Sequence, residues 1–598
     1  MDVNKRNIEQ IFDPTSQFQA PLFQRPYVWR QQKNWQPLWE SIEELAEQRV
    51  NDKTPLPRFL GTIVLDQLPT PTGTITKREI IDGQQRLTTL QLALAAIRNL
   101  CHDKANNGSP RAAAYRDAFA KLTNNHIPLS DEPDEQFKVF PTNSDRSHFR
   151  DVMKSETEGM AEELIADAGE NDALIPRCYV YFHKNASTWL FADDDDQFVH
   201  RIAALYQAIK DDLTVVVIDL DDRDDAQVIF ETLNALGTPL LPADLVKNFL
   251  FHLAQAQGAN VDHLYEQYWK PFDTDSAYWR KEVRQGRLNR PRLDLFLQHY
   301  LTLMTGEEAT ATELFQIFRK YVERSGEPAA AHLARLREYG DVYRSFESYS
   351  LDSPEGLFFY RLDQLDTTTV YPLLMEVVKQ NQSQQQEELR RIFNLLESFL
   401  VRRVVCELTT KNYNRLFTDV IRRLRENGSF SAAAIQTQLL ESTGDATRFP
   451  DDQEFRRAWM KIAAYKRLVR KRLRVILEAL NSAMHTDMTE DVYIREKLTI
   501  EHLMPQTWRV HWPLTDGVTE EERDQLVHTF GNLTLLTKKL NPAISNSSWK
   551  VKRPQILSYS VLLMNHEFYN ADEWSEVDIA TRSEELFKLA VGIWPRPS

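Results

Sequence analysis

The sequence predicts a multidomain, predominantly α protein with small mixed α/β cores. Three observations carry this reading. Only a few short stretches have strand character: 59–65, the pair Ile80-Ile81, and 213–220, all rich in Val, Ile and Leu. Elsewhere apolar residues recur at helical spacing, above all from about 93 to 213 and through 255–400. A chain of 598 residues is also long enough for three or four domains, each with its own core.

Composition narrows the class. A hydrophobic content of 42% with 27% charged residues fits a soluble globular protein. No apolar run approaches a membrane span, and Met1-Asp2-Val3-Asn4 opens no signal-peptide pattern. Cys101, Cys178 and Cys406 lie far apart, forming neither a metal-ligand pair nor a disulfide framework, so the expected compartment is a reducing cytoplasm. A net charge of −15 argues against a globally basic nucleic-acid binder, but leaves room for local basic surfaces.

In chain order, the first dense feature is the arm Gln24-Arg25-Pro26-Tyr27-Val28-Trp29. Pro26 forces Arg25 toward an extended conformation. Either the arm packs its aromatics on the first domain, or Arg25 holds a phosphate while Tyr27 or Trp29 stacks on a base. A helix over 35–47 follows, then the strand 59–65 and a hairpin through Thr72-Gly73-Thr74.

Next comes Asp82-Gly83-Gln84-Gln85-Arg86. Asp82-Gly83 is a turn pair, and Leu87, Leu90, Leu94 and Ile97 start a helix behind it. Asp82 and Gln85 have capping-box spacing. The sharper reading is an anion site: Gly83 lets the backbone approach, the helix start offers N–H groups, and Arg86 pairs with phosphate.

Lys138 and Arg146 sit in a polar loop as two further possible phosphate ligands, and 193–196 reads as a solvated acidic turn. After the strand at 213, Gly237 has a C-cap role and Pro239 or Pro242 starts a helix. Glu231, Asn234, Asp244, Lys247 and Asn248 crowd this corner. Bringing them beside Arg86 would make a nucleotide site without a Walker loop, since neither that motif nor Gly-x-Gly-x-x-Gly occurs. The arginines from Arg280 to Arg292 and the Lys/Arg run from Arg456 to Arg474 are either DNA contacts or solvated faces. The tract 380–386 reads as a polar linker.

A second chemical centre lies at Glu501-His502, followed by Gly531-Asn532-Leu533 and by Asn541. Phosphodiester hydrolysis needs a base for water and a cation for the developing charge. Adjacent strand residues point to opposite faces, so one of Glu501 and His502 can hold metal while the other faces the water.

These motifs resemble a known family. Asp82–Arg86, the arm, and Phe230-Glu231-Thr232-Leu233-Asn234 with Gly237 look like a GmrS-type NTPase domain, which is related to the ParB/sulfiredoxin fold. Glu501-His502 through Pro505-Gln506, then 531–536 and Asn541, look like a GmrD-type HNH nuclease with a ββα-metal core. Both in one chain resemble single-chain GmrSD-type type IV restriction enzymes, including the member associated with BREX phage-defence loci.

The resemblance implies NTP-dependent cleavage of double-stranded DNA carrying modified cytosines, such as 5-hydroxymethyl or glucosylated forms. It implies a divalent metal (magnesium or manganese), an NTP (ATP or GTP among others) and a homodimer. Nucleotide contacts would come from Arg25, Asp82, Gly83, Gln84, Gln85, Arg86, Asn234 and Lys247. His502 would be the general base, Glu501 and Asn541 the metal ligands, and Asn532 a loop-orienting residue. Glu501 departs from the Asp found in many HNH nucleases. Arg470, Lys471, Lys550 and Lys552 are the candidate DNA contacts. The expected domains are 1–255 (nucleotide), 256–400 (helical middle) and 401–598, with the nuclease at about 495–555. The competing readings are a nucleotide-gated binding protein whose HNH remnant is structural, and a nuclease acting on RNA.

Overall fold

The computed structural model describes all residues except 1, 22–23, 25, 69–74, 126–131, 143–144, 156, 168–172, 193–194, 221–240, 286–287, 382–385, 487–497, 541–545 and 598. The chain divides into two compact units. The first holds Met1–Lys270 with Pro328–Ala330; the second holds Pro271–Glu327 with Ala331–Ser598. The stretch 256–400 is divided between the two units. Its start belongs to the first unit and nearly all the rest packs with the nuclease end.

The first unit is built on a six-stranded mixed sheet in the order β1-β6-β3-β4-β2-β5. The strands are β1 (Asp2–Asn7), β2 (Ser16–Gln19), β3 (Arg58–Gln67), β4 (Thr76–Asp82), β5 (Val139–Phe140) and β6 (Leu213–Asp219). β1 runs antiparallel to β6, which runs parallel to β3; β3 and β4 are antiparallel, and β2 lies parallel to both β4 and β5. Strand alternation sorts the side chains. Ile63, Leu65, Ile80, Val215 and Val217 enter the large core. Val64, Ile81, Ile218 and Leu220 make a smaller cluster on the other face, with Val216 and Leu245 against it.

Four helices matter for the site: α1 (Gln36–Val50), α2 (Gln84–Asn106), α3 (Leu174–Leu190) and α4 (Pro242–Ala256). α2 is buried nearly all round for its first half, Gln85 and Gln91 included, so it is the central rod of the unit rather than a surface helix. Pro242 sits in the first turn of α4, where its missing N–H costs nothing.

The second unit is helical apart from a hairpin of Glu282–Gln285 with Leu288–Pro291 and one further strand pair. That hairpin carries part of the arginine cluster near 280–292, a stretch expected to be helical. Arg292 is not a free cation: it lies 4.0 Å over the Tyr278 ring and pairs with Glu347 at 2.8 Å.

The elements around the nuclease centre are α5 (Gln386–Val405), α6 (Asp452–Lys461), α7 (Arg470–Ala483), β7 (Leu498–His502), β8 (Leu533–Thr537), α8 (Trp549–Tyr559) and α9 (Glu576–Ile593). Arg402 and Arg403 on α5 are fully buried and donate to backbone carbonyls, including those of Trp594 and Arg448. β7 and β8 pair antiparallel, with His502 opposite Leu533 and Glu501 opposite Thr534. The turn entering β8 is pressed between Trp459, stacked on Phe530 at 3.9 Å, and α9. Arg582 on α9 donates to the carbonyls of Gly531 (2.9 Å) and Leu533 (2.8 Å).

Gly531 is there for closeness. A Cβ at this position would fall on the Ile579 carbonyl oxygen of α9, a backbone atom that cannot swing aside. Gly531→Ala should destabilise the protein by about 3 kcal/mol, the upper end of ordinary overpacking costs. Denaturant melts of the full chain would check this; a loss under roughly 0.5 kcal/mol, as at a neutral surface site, would show that α9 is free to shift.

Candidate functional site

The N-terminal turn is built differently from its sequence reading. Gly83, at φ 99°, is itself the N-cap of α2, and no side chain caps the helix. The capping box expected between Asp82 and Gln85 does not form. Gln85 is instead buried, its Oε1 accepting from Val28 N (2.8 Å) and its Nε2 donating to Pro26 O (3.1 Å). Gln24 reaches the other way, its Nε2 donating to Ile80 O (2.6 Å) and Ile81 O (3.2 Å). Two amides therefore clamp the arm onto β4 and α2.

Arg86 is also drawn inward. Its Nη1 donates to Thr62 O at 2.5 Å, and its guanidinium covers Gly61, where a Cβ would stand 2.6 Å from Nη2. Burial lowers its pKa, with the carboxylate of Asp82 acting against that shift. Arg86 thus braces the turn from beneath. Among the described residues, the hydrogen bond shown for Arg86 is the one to the Thr62 carbonyl.

Tyr27 is likewise no free stacking ring. It is buried, its hydroxyl 2.5 Å from Thr89 Oγ1 and receiving the Trp35 Nε1–H at 2.9 Å. Trp29 packs on the core half-buried. Lys138 is buried, donating to Pro14 O, and Arg146 stacks over Phe140 at 4.4 Å. Lys138 is thus turned inward, while Arg146 stays half-exposed.

Asp82 and Gln84 are half-exposed at the turn, while Asp244, Lys247 and Asn248 are buried on one face of α4. Lys247 lies 5.1 Å from the Tyr265 ring centre. The Oδ1 of Asn248 is buried without a hydrogen-bond partner among the described residues. Arg25, Glu231, Asn234 and Gly237 lie outside the described residues.

At the second centre, Glu501 and His502 end β7 and are both buried. Glu501 Oε1 accepts from Lys552 Nζ at 2.5 Å, and the same ammonium donates to His502 O at 2.5 Å. Lys552, expected at a DNA phosphate, is entirely buried on the inner face of α8. The reason is helical spacing: Trp549, Lys552 and Ile556 share one face, and that face packs inward. Burial raises the Glu501 pKa and lowers that of Lys552, their mutual attraction opposing both shifts.

The imidazole of His502 has company that the sequence did not announce. His502 Nε2 lies 3.2 Å from His528 Nδ1, and the Tyr465 ring meets it edge-on at 4.2 Å. Arg470 stacks on Tyr465 at 3.4 Å. Burial pushes His502 down to about 3, helped by His528, Lys552, Arg470 and Lys466. His528 falls to about 4, again chiefly by burial. No spacing in the sequence announces His528, which meets His502 only through the fold.

Asn532 is a loop-holder. It is fully buried, its Oδ1 accepting from Met504 N (2.8 Å) and Trp574 Nε1 (3.2 Å), its Nδ2 donating to Met504 O and Val527 O (2.8 Å each). Arg470 and Lys550 are exposed, and Lys471 is half-buried near Asp366. Asn541 lies outside the described residues. An ion held as the resemblance implies would need Glu501 and Asn541. Among the described residues Glu501 is engaged by Lys552, and no group of three His, Cys, Asp or Glu is placed to hold a metal. The described residues alone do not make a ligand set.

Two family models cover both centres. The GmrSD restriction endonuclease N-terminal domain matches residues 8–251, and the GmrSD restriction endonuclease C-terminal domain matches 449–589. The chain belongs to the GmrSD restriction endonuclease family. A comparison with curated proteins finds no match. Membership makes this GmrSD chain a nuclease directed at DNA, of the type IV restriction class. Among the described residues, no helix is long and apolar enough to cross a membrane.

Two measurements check the site's energetics. Lys552→Met leaves the Glu501 carboxylate buried without its cation and should cost about 3–5 kcal/mol in denaturant melts. The histidines give a pH signature. Both fold with pKa values below the ordinary 6.5, so the unfolded chain binds protons that the folded chain refuses. Their contribution is full above 6.5 and shrinks as pH falls toward about 4. Wild-type melting temperature should therefore drop further than that of His528→Asn between neutral pH and pH ~5; equal drops would mean that the imidazoles are solvated.

Proposed function

We propose that the chain is an NTP-dependent, modification-dependent DNA endonuclease. It would cut double-stranded DNA carrying modified cytosines such as 5-hydroxymethylcytosine or its glucosylated form. The observation that carries the nuclease half is the placement of the His502 imidazole at the end of β7, 3.2 Å from His528 Nδ1. With hydrogen on Nε2, given to His528 Nδ1, the Nδ1 lone pair of His502 remains for a water proton. The water oxygen then attacks phosphorus, and the bond to the leaving oxygen breaks with its electron pair. Exposed Arg470 and Lys466 lie close enough to depress the His502 pKa, and their charge suits the scissile phosphate. Asn532 holds the 503–504 backbone that follows the imidazole.

The nucleotide half rests on the turn at Asp82–Gln84, backed by Arg86 from beneath and clamped through Gln85 to the arm. Nucleotide there would favour the clamped arrangement of arm and helix start. The divalent-metal requirement belongs to this proposal, with chelation as its check. So does assembly as a homodimer.

A second reading has one observation in its favour: Glu501 is locked to Lys552 rather than open to an ion. It makes the chain a nucleotide-gated DNA-binding protein with a structural remnant of the nuclease. One digest separates the two. Phage genomes differing only in cytosine chemistry are incubated with the protein, with and without NTP and magnesium or manganese. Cleavage of modified genomes alone is expected, and His502→Ala should lower its rate at least about 100-fold without changing DNA affinity. Cutting by the purified His502→Ala chain at the wild-type rate would remove the role given to that imidazole.

A further inference from the structure

The first unit contains a cleft of about 1020 Å3 that neither the nucleotide turn nor the nuclease uses. Its walls are the turn at 30–35, α1 and α3, with Ile165 at one end. The helix spacing is telling. Arg177, Tyr181 and Lys184 line one face of α3, and Gln36, Glu40 and Glu43 line the facing side of α1. These polar rows line the cleft above the contact of Trp39 with Phe182, ring centres 6.5 Å apart, that joins the two helices.

The chemistry of the lining is specific. The floor is aromatic: half-exposed Tyr181 stands over buried Trp35, ring centres 6.0 Å apart, with Trp39 beside it. The walls carry amides (Gln31, Gln32, Gln36, Asn185) and two carboxylates (Glu40, Glu43). The rim is cationic, and Arg30, Lys33 and Arg177 have no ion-pair partner among the described residues. A simple phosphate pocket would not place two carboxylates at its wall. A sugar site would: hydroxyls donate to carboxylates and amides, and a ring face covers an aromatic floor. The rim cations suit flanking phosphates. The volume stands at the top of the roughly 300–1,000 Å3 usual for small-molecule sites, more than a bare pyrimidine needs.

The floor is also wired to the nucleotide turn. Trp35 Nε1 donates to Tyr27 OH, Tyr27 OH meets Thr89 Oγ1 on α2, and the next residue, Val28, is held by Gln85.

We propose that this cleft receives the base to be recognised, extruded from the duplex, and reads a hydroxyl-rich sugar carried on it. This rests on the modified-cytosine reading above and names the place where the modification is read. Extrusion is how proteins inspect a base edge and its substituents in a closed pocket.

The test uses the full chain carrying His502→Ala, so that DNA stays intact. Binding is measured by fluorescence anisotropy on duplexes with one glucosyl-5-hydroxymethylcytosine or one cytosine at the same position. The parent should prefer the glucosylated duplex by at least about tenfold, the worth of one or two net hydrogen bonds. Adding Glu40→Ala or Tyr181→Ala should abolish the preference while cytosine-duplex affinity changes less than about twofold. Glu40 is exposed on α1, so its variant decides the matter if Tyr181→Ala fails to fold. A preference that survives both substitutions overturns the cleft and leaves the modified-cytosine reading standing. Loss of affinity for both duplexes alike makes the cleft a plain phosphate contact and also overturns it. A parent chain with no preference overturns the modified-cytosine reading, and the cleft with it.

Discussion

One buried ammonium organises the nuclease centre. Lys552 neutralises Glu501 and bonds the carbonyl of His502, so a single group on α8 fixes the end of β7 in two directions. Burying a charge is costly, and an ion pair inside a protein returns little more than it takes. What it gives is position. A β7 slipped by one residue would point Glu501 away from Lys552 and leave both charges stranded. His502 inherits that placement, and Asn532 fixes the following loop through two hydrogen bonds to Met504, with two more to Val527 and Trp574. The site is stiff because its polar groups satisfy one another.

The N-terminal turn follows the same logic with neutral groups. Gln85 and Gln24 spend their hydrogen bonds on backbone, tying an arm without regular structure to a strand end and a helix start. Arg86 fills the hollow over Gly61. The residues richest in ligand chemistry in the sequence are thus the scaffold of the turn. Asp82, Gln84 and the backbone around Gly83 are what the scaffold presents.

This marks how far the sequence could be read. Strand character at 59–65 and 213–220 appears as β3 and β6, and the long helical stretches appear as helices, because both signals come from local periodicity. The contacts of Asn532 with Met504 and Val527 are tertiary and follow from no local pattern. Side-chain direction was not legible. Lys552 looked like a surface cation, and only the packing of α8 against β7 turns it inward. Tyr27 looked like a stacking ring, but its hydroxyl has partners from positions 35 and 89. His528 belongs to no spacing rule, since it meets His502 through tertiary structure alone. The cleft between α1 and α3 joins two segments more than a hundred residues apart, so no motif could announce it.

The topology of the first sheet also bears on synthesis. β1 pairs with β6 residue by residue from Asp2 with Asp219 to Asn7 with Thr214, and β6 in turn sits beside β3. Of the six strands of this sheet, the first in chain order therefore has no neighbour until the last has been made. Until then β3 has an open edge, and the emerging chain must hold its hydrophobic interior together through α2 and the helices packed on it. Closing the sheet is a late event on the growing polypeptide, and the interval before it is when this half of the molecule is most exposed to mispairing and to chaperones.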